Sequence, residues 1–135
     1  MNVIVDTCVW SLARRRNTPD KQIVATLHAL LVAGNVAMLG PIRQELLSGV
    51  ADHAQFERLK SRLSGFVDIP LITDYFIRAA EFSNYCRRKG VQGSSIDFLI
   101  CAVASSLEYP IMTTDADFRL YAEHLPITLL PATTP

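Results

Sequence analysis

Cysteine is scarce in this 135-residue chain and badly placed for cross-linking: Cys8, Cys86 and Cys101 are odd in number, widely spaced, and form no C-x-x-C pair. That excludes a disulfide framework and a thiolate zinc site, and leaves the three as small fillers of a core. Long apolar runs are lacking too. The longest, over 23–33 and 98–107, are broken by His28, Ser105 and Ser106 and fall short of the ~20 residues that a membrane span needs. No basic segment stands before the first apolar residues and an acid already occupies position 6, so no export leader is expected and the cytoplasm is the expected compartment. Charge of one sign is not in excess either, with 13 Lys and Arg against 13 Asp and Glu, and net charge therefore gives no reason to expect a polyanionic partner. Neither G-x-G-x-x-G nor G-x-x-x-x-G-K-[ST] occurs, which removes the dinucleotide and P-loop fingerprints, and the G-x-S-x-G elbow of serine hydrolases is missing as well. His28, His53 and His124 stand apart from one another and from the acids, so zinc is not expected.

What the chain has is apolar residues, 50% of the total, in short runs of changing period. Strands are expected over 2–5, 36–39, 67–71, 111–113 and 127–130, each bounded by turn or cap residues. Between them the spacing turns helical. One helix follows Asp6; a second is capped by Thr18 with Pro19 in its first turn and stops at Gly34; a third starts at Gly40 and Pro41 and ends near Gly49. Asp52 opens a fourth, a Thr73–Asp74 cap opens a long fifth that ends in Arg87, Arg88, Lys89 and Gly90, and 115–125 forms a short last one. The helix that begins at Ser94 and Ser95 stands out, because every side chain over 98–104 is apolar and it must run through the interior. Strands alternating with helices give an α/β fold: one domain over 1–131 with a mostly parallel central sheet of about four to five short strands, helices on both faces, and a polar tail over 132–135.

The charges are unevenly distributed. Residues 1–89 hold twelve bases and eight acids, whereas 90–135 hold one base, Arg119, and five acids. In an open parallel sheet, ligands bind beyond the carboxyl ends of the strands. Asp6 follows the first strand, Asp115 and Asp117 follow the fourth, Asp97 sits in the first turn of the apolar helix, and Glu45 lies inside the helix after the second strand. Each taken singly reads as a helix cap or a solvated acid. Together they bring up to five carboxylates to one edge with no His, Cys or Lys among them. Two like charges ~4 Å apart repel by a few kcal/mol at an intermediate dielectric, and a hard divalent cation with oxygen ligands relieves that repulsion.

With these residues the sequence resembles the PIN-domain ribonucleases, and among them the VapC toxins of bacterial toxin–antitoxin pairs. The resemblance rests on V-I-V-D-T-C-V-W at 3–10, I-R-Q-E-L-L-S-G at 42–49, S-S-I-D-F-L-I-C-A at 94–102 and T-T-D-A-D-F at 113–118. It implies a PIN-like fold and a Mg²⁺-dependent endoribonuclease, with Mn²⁺ as an alternative ion. Asp6, Glu45, Asp97 and Asp115 match the family's catalytic quartet, with Asp6, Asp97 and Asp115 as metal ligands and Asp117, Thr7 and Thr113 in support. It further implies RNA as substrate, a VapB-like antitoxin and a homodimer as partners, and no membrane attachment. Arg14, Arg15 and Arg16, the bases over 58–62, and Arg87, Arg88 and Lys89 are candidate phosphate contacts, although helix ends and solvated faces account for each cluster as well. Trp10 and Tyr85 are expected in the core. The alternative from another class is a catalytically silent binding module that keeps the acidic pocket for a metal or a partner's arginine. A phosphotransfer receiver is disfavoured, since Asp6 stands alone after the first strand and no Lys follows residue 89.

Overall fold

Three consecutive β-branched residues, Val3, Ile4 and Val5, form β1 (Val3–Val5) and all are buried, because β1 lies at the centre of the sheet, where both faces are covered. A parallel strand at the centre of a sheet has no solvated face, so a continuous apolar run replaces the alternation of a surface strand. The computed structural model describes residues 2–15 and 20–130. After β1 come α1 (Thr7–Ala13), α2 (Lys21–Val32), β2 (Val36–Ala37), α3 (Gly40–Ser48), α4 (His53–Leu63), α5 (Thr73–Arg88), α6 (Ser95–Leu107), β3 (Ile111–Met112), α7 (Asp117–Ala122) and β4 (Leu129–Leu130).

The strand order is β2-β1-β3-β4, and all three pairings are parallel, in the register Ile4↔Ala37, Val5↔Met112 and Ile111↔Leu129. From β1 the chain crosses to β2 on one side, and from β3 it crosses to β4 on the other. Right-handed crossovers in opposite directions put helices on both faces. They also open a crevice at the carboxyl ends of β1 and β3, where the connections diverge.

The interior is centred on α6. Phe98 through Ala104 are buried, and α5 packs along this helix more extensively than any other pair of elements. Removing a Leu- or Ile-sized side chain from water contributes about 1.5–3 kcal/mol, so this one helix ties sheet and helical layer together. α5 buries Tyr75, Ala79 and Cys86 and leaves Phe76 and Ile77 on its outer side.

Several elements differ from the expectation. The strand expected over 67–71 is reduced, among the described residues, to a single bridge between Met38 and Asp68, carried by the Ile69 N–H to the Met38 carbonyl at 2.9 Å. Pro70 has no N–H to continue the ladder. The Arg43 guanidinium, moreover, pairs with Asp68 at 2.9 Å and donates to the carbonyls of Leu63 and Phe66, each at 2.8 Å, which fixes this segment as a loop. α2 is capped by Asp20, whose carboxylate accepts from Gln22 and Ile23 N–H. Thr18 and Pro19, Arg16 and the tail 132–135 lie outside the described residues. At α5 the N-cap is Ile72, with no side-chain bond, and Thr73 is the first helical residue. The last helix starts at Asp117 rather than 115, since the Asp115 carboxylate takes the Asp117 N–H in a local turn. Trp10 is buried as expected, but Tyr85 is 40% exposed. Among the described residues no helix is long and apolar enough to cross a membrane.

Candidate metal centre

Asp6 is the one buried charged side chain among the described residues. Its backbone N–H extends the ladder to β3 by bonding the Met112 carbonyl at 2.9 Å, and its Oδ1 caps α1 by accepting from Thr7 N–H at 2.9 Å. Oδ2 accepts from the Thr113 hydroxyl at 2.8 Å and from the Cys8 thiol at 3.5 Å. A carboxylate so buried is sustained by those donors. The Thr113 oxygen in turn receives the Asp115 N–H at 3.1 Å, so one hydroxyl couples the acids that follow β1 and β3.

Asp97 reaches the same edge from α6. Ser94 caps this helix by accepting the Asp97 N–H at 3.0 Å, and the Tyr121 hydroxyl, arriving from α7, donates to Asp97 Oδ2 at 2.7 Å. Tyr121 is fully buried between Phe98 and Phe118, and Gly93 lies against its ring. One carboxylate oxygen of each of Asp97, Asp115 and Asp117 falls within 4.8 Å of the others. Glu45 comes from α3, where its Oε1 accepts from the Thr7 hydroxyl at 3.4 Å.

The electrostatics follow from this crowding. Burial pushes the Asp97 carboxyl above the usual carboxylate range, and the charges of Asp6 and Asp115 push it further, against the bonds from Tyr121 and Ser94. Burial also raises Glu45, with the charge of Asp6 adding to it, the Thr7 bond opposing it, and Asp97 adding a smaller contribution. Tyr121 is raised strongly by burial and by its bond to Asp97, so its hydroxyl stays a donor across the working pH range. Among the described residues no basic side chain forms an ion pair with any of the five acids. The donor set is all oxygen, which fits a hard divalent cation rather than zinc or copper.

The expected acids and hydroxyls, Asp6, Thr7, Glu45, Asp97, Thr113, Asp115 and Asp117, thus gather around the β1/β3 crevice. The closest set of three carboxylates is Asp97, Asp115 and Asp117, and Asp6 lies beside it as an electrostatic neighbour of Asp97. The basic candidates lie elsewhere. Arg14 and Arg15 follow α1, and Arg88 and Lys89 close on the Tyr85 ring at 5.8 and 5.5 Å. Arg87 lines a hollow with Gln92 and Gly93 that reaches toward Tyr121. Sequence reasoning missed Tyr121 and Gly93, and it misplaced Cys8. That thiol is half-buried at the centre itself, where it accepts from the Thr114 hydroxyl at 3.2 Å, whereas Cys86 and Cys101 are core residues as expected.

The Tyr121–Asp97 bond carries a prediction. Tyr121→Phe keeps the ring in its packing but removes the donor that orients Asp97. Mn²⁺ affinity, followed by isothermal titration calorimetry, is expected to fall by about 10- to 100-fold, the usual cost of losing a partner behind a ligand. Unchanged affinity would mean that the bond positions nothing.

A PIN domain family model matches residues 3–124. Among solved structures, FitAcB from Neisseria gonorrhoeae is similar with a TM-score of 0.79 at 20% identity, over 96% of this chain and 97% of that one. VapBC2 from Rickettsia felis, bound to a DNA fragment from its promoter, gives 0.76 at 20% identity over 96% and 98%. A toxin–antitoxin complex from Klebsiella pneumoniae gives 0.65 at 20% identity over 87% and 90%. No match is found among curated proteins.

Proposed function

This chain belongs to the PIN domain family, and on that premise we propose that it is a divalent-metal-dependent endoribonuclease acting as the toxin of a toxin–antitoxin pair. The observation that carries the reading is the gathering of five carboxylates at the β1/β3 crevice without a basic partner among the described residues. An acidic edge of this kind destabilises the bare fold and is relieved by a bound cation.

In this proposal Asp6, Asp97 and Asp115 hold Mg²⁺ or Mn²⁺, with Asp117 close enough to Asp97 and Asp115 to share in it. When bound, such an ion supplies Lewis-acid polarisation of a phosphate and makes water more acidic. Glu45 takes the proton of the attacking water. Burial and the neighbouring Asp6 charge raise its carboxyl pKa, which makes it a better proton acceptor than an ordinary glutamate. The water oxygen bonds to phosphorus in line, the opposite P–O bond breaks, and the ribose oxygen leaves with a proton from solvent. Thr113 holds the Asp6 carboxylate in place, Tyr121 does the same for Asp97, and Thr7 steadies Glu45.

One of the similar structures is described as a toxin–antitoxin complex and another as VapBC2 bound to a promoter fragment, which supports a VapB-like antitoxin as the partner of this chain. A homodimer through the outer side of α5 is part of the proposal, since Ile72, Phe76 and Ile77 leave about half of their surface in water.

Purified protein incubated with a structured RNA is expected to cleave it in Mg²⁺ or Mn²⁺ and to stop on addition of EDTA, as read on a denaturing gel. Cleavage that persists in EDTA would overturn the metal-dependent reading. Metal binding without cleavage of any RNA would leave a silent binding module.

A further inference from the structure

An acidic centre repels the polyanion it is proposed to cut, so a compensating positive surface should lie within reach. Resting on the ribonuclease reading, we infer that the hollow lined by Arg14, Arg58 and Arg62 binds the phosphate backbone of single-stranded RNA beside the cleaved linkage. The hollow measures about 390 Å³, and Gln55 and the buried Leu59 complete its lining, with no acid. Among the described residues none of the three guanidinium groups has a hydrogen bond or an ion pair. Other bases with a structural task are partnered: Arg43 holds Asp68 and two carbonyls, and Lys60 meets Glu57. Arg58 and Arg62 stand one turn apart on α4, a spacing at which like charges weaken a helix, and of the two only Arg62, in the last turn, is favoured by the helix dipole. No acid of the described chain pairs with them, which leaves their donors open to a phosphate.

Position links the hollow to the acids. α1 starts directly after Asp6 and Arg14 is its C-cap, so eight residues at 1.5 Å each separate the two Cα atoms by about 12 Å. Trp10, one turn before Arg14, fixes the helix: its Nε1 donates to the Val5 carbonyl at 3.2 Å, and its ring meets Phe66, just beyond α4, edge-on at 5.7 Å. A strand with one linkage at the carboxylates therefore reaches the arginines within a few nucleotides. The lining favours nucleic acid over an acidic protein segment, because it offers guanidinium forks that match phosphate bidentately and, for apolar side chains, only Leu59.

The test is binding of a short labelled oligoribonucleotide to the full chain in EDTA, as fluorescence anisotropy across a salt series. Each lost contact to a single strand is expected to flatten the slope of log K against log salt by about 0.7, so Arg58→Gln with Arg62→Gln flattens it by about 1.4. Arg14→Gln, on a different helix, flattens it by about 0.7 and guards against misfolding of the double variant. Lys60→Gln, on α4 outside the hollow, leaves it unchanged. Wild-type slopes in these folded arginine variants, or no binding by the wild type at low salt, would overturn the inference. So would an unchanged slope combined with loss of binding to a poly-glutamate peptide, which would assign the hollow to an acidic protein partner. The two readings fail separately: flattened slopes without metal-dependent cleavage sink only the nuclease, and cleavage with unchanged slopes sinks only the subsite.

Discussion

Asp97→Asn is expected to remove RNA cleavage while leaving the protein folded and, in EDTA near neutral pH, no less stable than the wild type. The catalytic loss follows from taking one carboxylate out of a set that binds the ion together. An ion's contribution of several kcal/mol to the transition state corresponds to about 10²- to 10³-fold in rate. The stability half follows from the sign of the pKa shift. Asp97 is held above the usual carboxylate range by burial and by the charges of Asp6 and Asp115. A carboxyl raised in the folded state adds stability below its unfolded pKa, and that contribution is lost as pH rises through the folded value. At neutral pH the ionised group is thus a cost to the apo-protein, and a neutral amide of the same shape removes it. Circular dichroism melts in EDTA are expected to show the wild type losing stability as pH rises above the ordinary carboxylate range, with a smaller loss in the variant. Glu45, raised for the same reasons, retains its share of the slope. Wild-type cleavage in the variant would exclude Asp97 from the reaction; collapse of its melt would make Asp97 structural.

Gly93→Ala is the second large effect, and it acts on the centre through Tyr121. A Cβ at Gly93 would come against the Tyr121 hydroxyl and within 2.7 Å of Cζ and 2.9 Å of Cε1. The ring cannot swing aside freely, since it is fully buried, tilted on Phe98 at 5.0 Å and edge-on to Phe118 at 5.1 Å. Overpacking of this kind costs about 1–3 kcal/mol, or a fall in Tm on the order of 5–15 °C for a domain of this size. Moving the ring also withdraws the hydroxyl from Asp97, so Mn²⁺ affinity is expected to drop together with Tm. A melt and a titration equal to wild type would place Tyr121 elsewhere.

The sequence made some of this legible and hid the rest for identifiable reasons. Val3–Val5 and the apolar stretch of α6 were readable because burial on all sides leaves an unbroken apolar run. Asp6 and Asp115 were readable because loops at the carboxyl ends of parallel strands are where such folds place ligands. Tyr121 was not, since a tyrosine on the inner face of a short helix carries no mark of the bond it makes to a residue 24 positions away. Cys8 read as core because nothing local shows that its thiol faces the Asp6 carboxylate. The strand expected over 67–71 failed because its composition suits a strand, while Pro70 and the grip of Arg43 on Asp68 decide against one.

The pairing of β1 with β3 sets a timetable for synthesis. Thr113, which completes the hydrogen bonding of Asp6, is 107 positions further along the chain. At a translation rate of about 5–20 residues per second, roughly 5–20 s pass between the two leaving the ribosome's catalytic centre. A nascent or prematurely terminated chain that ends just before Thr113 therefore carries Asp6, Glu45 and Asp97 but lacks the hydroxyl and the Asp115 and Asp117 carboxylates that complete the centre.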